Sequence, residues 1–98
     1  MRDEQQARRY QVTGIVHGVG YRFFTQRVAE RMGVAGYVRN LPHDRVEVYA
    51  VGPAALLTAL REELERGPEG AIVSSVIEEE APLNPRFSRG FSIEFGDP

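Results

Sequence analysis

Residues 14–22 read Gly-Ile-Val-His-Gly-Val-Gly-Tyr-Arg, and Asn40 closes a second glycine-bearing stretch further on. The first run leaves an expected strand and opens an expected helix, with Arg22 in the first turn, and such a place is suited to holding an anion. N–H groups at a helix start lack intrahelical acceptors, and the helix dipole adds partial positive charge there, so negative charge is stabilised and a cation ordinarily is not. Arg22 stands against that rule. A guanidinium beside free N–H donors makes sense when a multiply charged group such as a phosphate sits between them. Because Gly18 and Gly20 permit close backbone approach, the amides of His17, Gly18, Val19, Gly20, Tyr21 and Arg22 form the candidate cradle.

Composition narrows what else can take part. The chain's 98 residues are enough for one modest core, and its 42% hydrophobic and 27% charged fractions are ordinary for a globular protein. A net charge of -2 and a pI near 5.7 argue against a nucleic-acid partner, which favours a basic surplus. The absence of cysteine removes disulfides, thiolate nucleophiles and thiolate metal sites. Every basic residue other than the two histidines is arginine, so a Walker-type lysine, a Schiff-base lysine and a lysine general base are all excluded. Anion chemistry is left to arginine and the main chain. The first residues are polar, without the apolar stretch of a signal peptide, and no run is long enough to span a bilayer; a cytoplasmic protein with no membrane partner is expected.

The elements that must position these residues follow from periodicity. Residues 1–6 read as a polar tail. From Arg9 to Val16 polar and apolar positions alternate, as in a half-buried strand. From Tyr21 the period changes, with Phe24, Val28, Ala29 and Met32 on one helical face and Gly33 as a C-terminal cap. Residues 35–40 and 46–51 alternate again around a reversal containing Pro42 and Asp44. Gly52-Pro53 opens a second helix with proline in its first turn, whose buried stripe is Leu57, Leu60 and Leu64. Residues 72–80 form a fourth strand, with Glu78, Glu79 and Glu80 solvated near an edge, and Phe91, Ile93 and Phe95 form a short last one.

This order, β-α-β-β-α-β plus a terminal strand, predicts a split β-α-β topology with the first two strands parallel and the third antiparallel between them. Strands one and two then end on one edge of the sheet, and Arg22 becomes a neighbour of Asn40. A carboxamide is suited to fixing a water in line with a phosphorus atom, but is too weak to be a strong base. Such a site handles only an easy leaving group. An acyl phosphate meets that condition, because its carboxylate leaving group, with a conjugate-acid pKa of about 4 to 5, needs no general acid.

On these residues the chain resembles the acylphosphatase family. Its first motif, G-x-V-x-G-V-x-[YF]-R, is met by Gly14, Val16, Gly18, Val19, Tyr21 and Arg22, and its second, G-x-x-G-x-V-x-N, by Gly33, Gly36, Val38 and Asn40. Similarity continues through residues 46–48, Gly52-Pro53, residues 66–70 and residues 91–93, so it spans about residues 8–95. The resemblance implies an α+β, ferredoxin-like α/β sandwich with two helices on one face of a mostly antiparallel sheet, in a single domain over residues 7–98. It implies cleavage of the carboxyl–phosphate anhydride to carboxylate and inorganic phosphate, with no metal and no cofactor. Arg22 would bind the phosphate and Asn40 would orient the attacking water, while the substrate's own phosphate accepts the proton. A monomer whose partners are acyl phosphate and inorganic phosphate is expected. Two positions depart from the family's usual residues: His17 stands where glutamine is commoner, and Leu41 follows Asn40 where many members carry a hydroxyl.

Taken singly, these residues have plainer readings. A glycine-rich turn is often a tight connection, an arginine at position 22 often pairs with a carboxylate such as Glu30, and an asparagine before Leu41-Pro42 is often a turn former. His17 reads as a spectator and His43-Asp44 as hairpin chemistry. Two other classes of function compete with hydrolysis. One is a non-catalytic anion- or small-ligand-binding module of the same topology. The other is a single-strand RNA binder using Tyr21, Phe23 or Phe24, or the strand aromatics Tyr37, Tyr49 and Phe91, which remain open between core and exposed platform.

Overall fold

The computed structural model describes residues 4–95. The chain runs β1 (Gln5–Ile15), α1 (Tyr21–Met32), β2 (Ala35–Leu41), β3 (Arg45–Pro53), α2 (Ala54–Arg66), β4 (Ile72–Ala81) and β5 (Phe91–Ile93), with one 3₁₀ turn at Pro85–Phe87. The five strands form one sheet in the order β4-β1-β3-β2-β5. All neighbours are antiparallel except β2 and β5, which pair in parallel with Val38 opposite Ile93. β3 therefore runs between β1 and β2, as the expected ferredoxin-like topology requires.

Each helix forms where its apolar spacing allows one face to be buried on the sheet. Val28 and Ala29 of α1 and Leu57, Leu60 and Leu64 of α2 meet Tyr10, Val12, Val38, Val46 and Val48 in the main core. Burying each large aliphatic side chain stabilises the fold by about 1.5–3 kcal/mol. Two tyrosines tie α2 to the elements beneath and beside it: Tyr10 Oη donates to the Leu57 carbonyl at 3.1 Å and Tyr21 Oη to that of Leu64 at 2.6 Å. Burial pushes the Tyr10 phenol up to about 12 and raises Tyr21 further, so both are held neutral. α1 ends at Gly33, whose N–H bonds the Glu30 carbonyl at 3.1 Å.

The opposite face of the sheet is partly covered by the segment after β4. Tyr37 and Tyr49 stack at 5.5 Å, Phe87 packs on Tyr37 at 4.7 Å, and Tyr49 Oη donates to the Pro82 carbonyl at 2.7 Å. The strand aromatics are thus assigned: Phe91 belongs to the main core, and Tyr37 and Tyr49 lie under residues 81–87. On the same face Arg9 and Arg39 flank Glu47 at 3.6 and 2.6 Å, so their charge is largely compensated.

Four sequence expectations are corrected. Gln5 and Gln6 are not tail but the first residues of β1, paired with Pro53 and Gly52, because β3 extends far enough to supply partners; residues 1–3 lie outside the described residues. Pro53 is the N-cap of α2 rather than a first-turn residue, with extended backbone at φ -64° and ψ 150°. Glu78 is only partly exposed, because Arg8 and Arg61 donate to it at 3.1 and 2.9 Å, whereas Glu79 and Glu80 are exposed as expected. Phe95 lies beyond β5, which ends at Ile93.

Candidate active site

β1 leaves the sheet through an irregularity between Thr13 and Gly14, where the register with β4 shifts. Gly14 adopts φ 142°, and an added Cβ there would overlap the Ile72 carbonyl oxygen, so only glycine lets the two chains approach this closely. Val16 is buried, and the chain turns through residues 17–20 into α1. Gly20 is the N-cap in the left-handed region, at φ 77°, and no side chain caps the helix. The first helical bond is Phe24 N–H to the Gly20 carbonyl at 3.0 Å; the amides of residues 18–23 have no backbone acceptor among the described residues. A row of donors without backbone partners is left at the positive end of the helix dipole, and the first turn holds no acidic residue to neutralise it.

Asn40 reaches the same rim from β2. It is the partner of Val46 in β3, and strand alternation puts it on the helix-bearing face with Val38, while Leu41 points to the other face. Register therefore sets the face on which Asn40 stands, and Leu41 lies on the other. Val16, Gly18, Gly20, Arg22, Phe23 and Asn40, with Tyr21 behind them, line one hollow of about 140 Å³. That is well below the roughly 300–1,000 Å³ of pockets that enclose drug-sized ligands, and it suits a small anion. Among the described residues Arg22 is the hollow's one charged lining residue.

The remaining cradle residues brace the turn. Tyr21 anchors the first turn of α1 to α2, and Thr25 Oγ1 donates to the Tyr21 carbonyl at 2.9 Å. Val19 packs against the core. His17 lies 2.7 Å through Nε2 from the Arg45 carbonyl oxygen, and because that oxygen only accepts, Nε2 carries the proton. Neither His17 nor Val19 lines the hollow. His17 is thus a brace between the turn and the β2–β3 hairpin. His43 and Asp44 both occupy the left-handed region, at φ 65° and 57°, as a tight hairpin turn demands, and the Asp44 carbonyl accepts from Gly14 N–H at 3.3 Å.

Arg22 makes no ion pair with any described carboxylate, Glu30 included. Its guanidinium carbon lies 4.9 Å from the centre of the Phe95 ring instead. Sequence periodicity did not reveal that contact, because Phe95 lies outside every strand and helix. Among the described residues no cluster of three or more His, Asp or Glu side chains is arranged to hold a metal ion. Larger hollows of about 360 and 330 Å³ at the far end of β1 around Gln5 and Leu83, and one of about 250 Å³ between Glu30 and Phe91, gather none of the candidate residues.

The family profile described as Acylphosphatase matches residues 8–93. An acylphosphatase of Solibacter usitatus is 51% identical over 78 residues, covering 80% of this chain and 81% of the relative. One of Actinobacillus succinogenes is 42% identical over 87 residues, covering 89% and 96%. The crystal structure of acylphosphatase from Bacillus subtilis superimposes with a TM-score of 0.85 at 33% identity, covering 94% of this chain and all of that one. With the family profile spanning most of its length and its fold matched throughout, the chain belongs to the acylphosphatase family, enzymes that hydrolyse acyl phosphates.

Proposed function

We propose that hydrolysis proceeds by in-line attack of a water oriented by Asn40 on a phosphoryl group held by Arg22 and by the backbone amides of residues 17–22. The observation that carries this reading is the convergence of Arg22, the uncapped α1 turn and Asn40 on one anion-sized hollow. The guanidinium fork and the amides bind the non-bridging oxygens and stabilise the charge that spreads over them in the transition state. The Asn40 carboxamide holds the water opposite the leaving group. The water oxygen forms the new bond to phosphorus, the bond from phosphorus to the bridging oxygen breaks, and the electron pair departs with the carboxylate. The water's proton passes to a non-bridging phosphate oxygen, so no protein base is required.

The same reading takes the protein as a cytoplasmic monomer acting without metal or nucleic acid. The covered positions of Tyr37 and Tyr49 and the pairing of Arg9 and Arg39 with Glu47 support the last point, since no bare aromatic and basic platform is left on those strands.

The test is hydrolysis of benzoyl phosphate or acetyl phosphate by the parent and by Asn40→Ala, with and without chelator. Turnover by Asn40→Ala is expected to fall at least about a hundredfold, while inorganic phosphate still binds. Chelator should leave the parent unchanged. Near-parental turnover by Asn40→Ala would remove the water-orienting role, and phosphate binding by the parent without turnover would indicate a non-catalytic anion module.

A further inference from the structure

The turn between β1 and α1, residues 16–20, carries one polar side chain, that of His17. It does not enter the hollow; its Nε2 lies 2.7 Å from the Arg45 carbonyl oxygen, 28 residues further along the chain. Arg45 opens β3. It stands opposite Leu41 at the last pair of the β2–β3 ladder and directly precedes Val46, the partner of Asn40. The bond therefore runs from the turn assigned to the phosphoryl group to the strand end that carries Asn40. In-line attack asks more of these two elements than that each keep its own shape. They must hold a fixed separation, because the water lies between the carboxamide and the phosphorus atom.

We infer that His17 is a positioning residue for the hydrolytic step: its side chain fixes the distance between Asn40 and the phosphate-holding turn, and so acts on turnover rather than on phosphate binding. The inference rests on Asn40 orienting the water, as proposed above. Strand pairing supplies little of this constraint, since β1 pairs with β3 only as far as Thr13 and Arg45, after which Gly14 and Ile15 run beside β4 alone. Among the described residues two hydrogen bonds join residues 14–20 to residues 41–45. One is the long bond from Gly14 N–H to the Asp44 carbonyl at 3.3 Å, and the other is the short one from His17. The turn has other anchors, in buried Val16, in Val19 against the core and in Tyr21 on the Leu64 carbonyl, so it keeps its own shape without the imidazole. The bond from Arg45 Nε to the Pro42 carbonyl is internal to the hairpin and does not tie it to the turn. What the position requires is an N–H at the reach of Nε2. A glutamine carries one at similar reach, whereas an asparagine falls one bond short.

The experiment measures kcat and KM for benzoyl phosphate, the inhibition constant of inorganic phosphate and the thermal midpoint. The proteins are the parent, His17→Ala, His17→Gln and His17→Asn, with Asn40→Ala alongside. His17→Ala is expected to lower kcat about five- to twentyfold, a fraction of the roughly hundredfold that a 1 Å misplacement costs, while KM and phosphate inhibition stay within about twofold. His17→Gln should return kcat to within about threefold of the parent, and His17→Asn should not. Should His17→Ala melt below the assay temperature, the comparison of His17→Gln with His17→Asn decides, since both keep a polar side chain in the turn. A kcat for His17→Ala within twofold of the parent overturns the positioning role. So does a fall in kcat matched by equal weakening of phosphate inhibition, or one that His17→Gln shares in full. In each of those cases a hundredfold fall for Asn40→Ala leaves the hydrolytic reading standing. Near-parental turnover by Asn40→Ala overturns both.

Discussion

Arg22→Ala separates binding of the phosphoryl group from stability of the fold. A guanidinium about 4 Å from a phosphate charge, at the effective permittivity of a partly buried site, is worth about 4 kcal/mol per charge pair. Loss of a preorganised donor to a reacting oxyanion costs a similar 3–4 kcal/mol in measured enzymes. The expected fall in kcat/KM is therefore about 10²- to 10³-fold, with a parallel loss of inhibition by inorganic phosphate. The substitution should do little to folding, because Arg22 makes no ion pair with a described carboxylate. Its contact with the Phe95 ring is worth about 0.5–1 kcal/mol at an exposed site, which for a domain of this size lowers Tm by less than about 8 °C. Arg22→Lys keeps the charge but not the planar fork, so it should recover only part of the loss. The measurements are steady-state kinetics with benzoyl phosphate, phosphate inhibition and thermal melts on all three proteins. Arg22→Ala within tenfold of the parent, or a loss of activity explained by unfolding, would refute the assigned role.

Two further outcomes test the scaffold. Tyr10 and Tyr21 are neutral in the fold and have raised phenol pKa values, so their contribution is fully present below the unfolded value near 10 and is lost as pH rises through the folded values. For Tyr10, with a shift from 10.0 to about 12, this amounts to about 3 kcal/mol across that window; urea midpoints measured from pH 9 to 12 should fall steeply, and Tyr10→Phe should lessen the slope. A flat profile to pH 11.5 would contradict the burial account. Gly14→Ala should destabilise the protein by at least about 3 kcal/mol, since φ 142° disfavours any side chain and the added methyl collides with the Ile72 carbonyl; an unchanged denaturation midpoint would show that β1 can leave β4 by another route.

What local sequence determined is everything that one element can encode in its own periodicity. The apolar spacing of Tyr21, Val28 and Ala29, and that of Leu57, Leu60 and Leu64, sufficed for both helices, because only one face of each is buried. The order of elements sufficed for the sheet, since a crossover helix returns β2 parallel to β1 with β3 between them. The glycine turn, Arg22 and Asn40 were legible for the same reason: they close elements whose ends share one rim. Contacts made across long chain separations were not legible. Gln5 and Gln6 are strand only because β3 extends to Pro53, and Glu78 is ion-paired only because Arg8 of β1 and Arg61 of α2 arrive from separate elements. His17 binds a carbonyl in a hairpin that no spacing around it foretells, and Phe95 meets Arg22 after the chain has passed through every other element. Periodicity records which side of an element is buried, whereas pairing between distant side chains depends on register and packing, which exist only once the whole chain has folded.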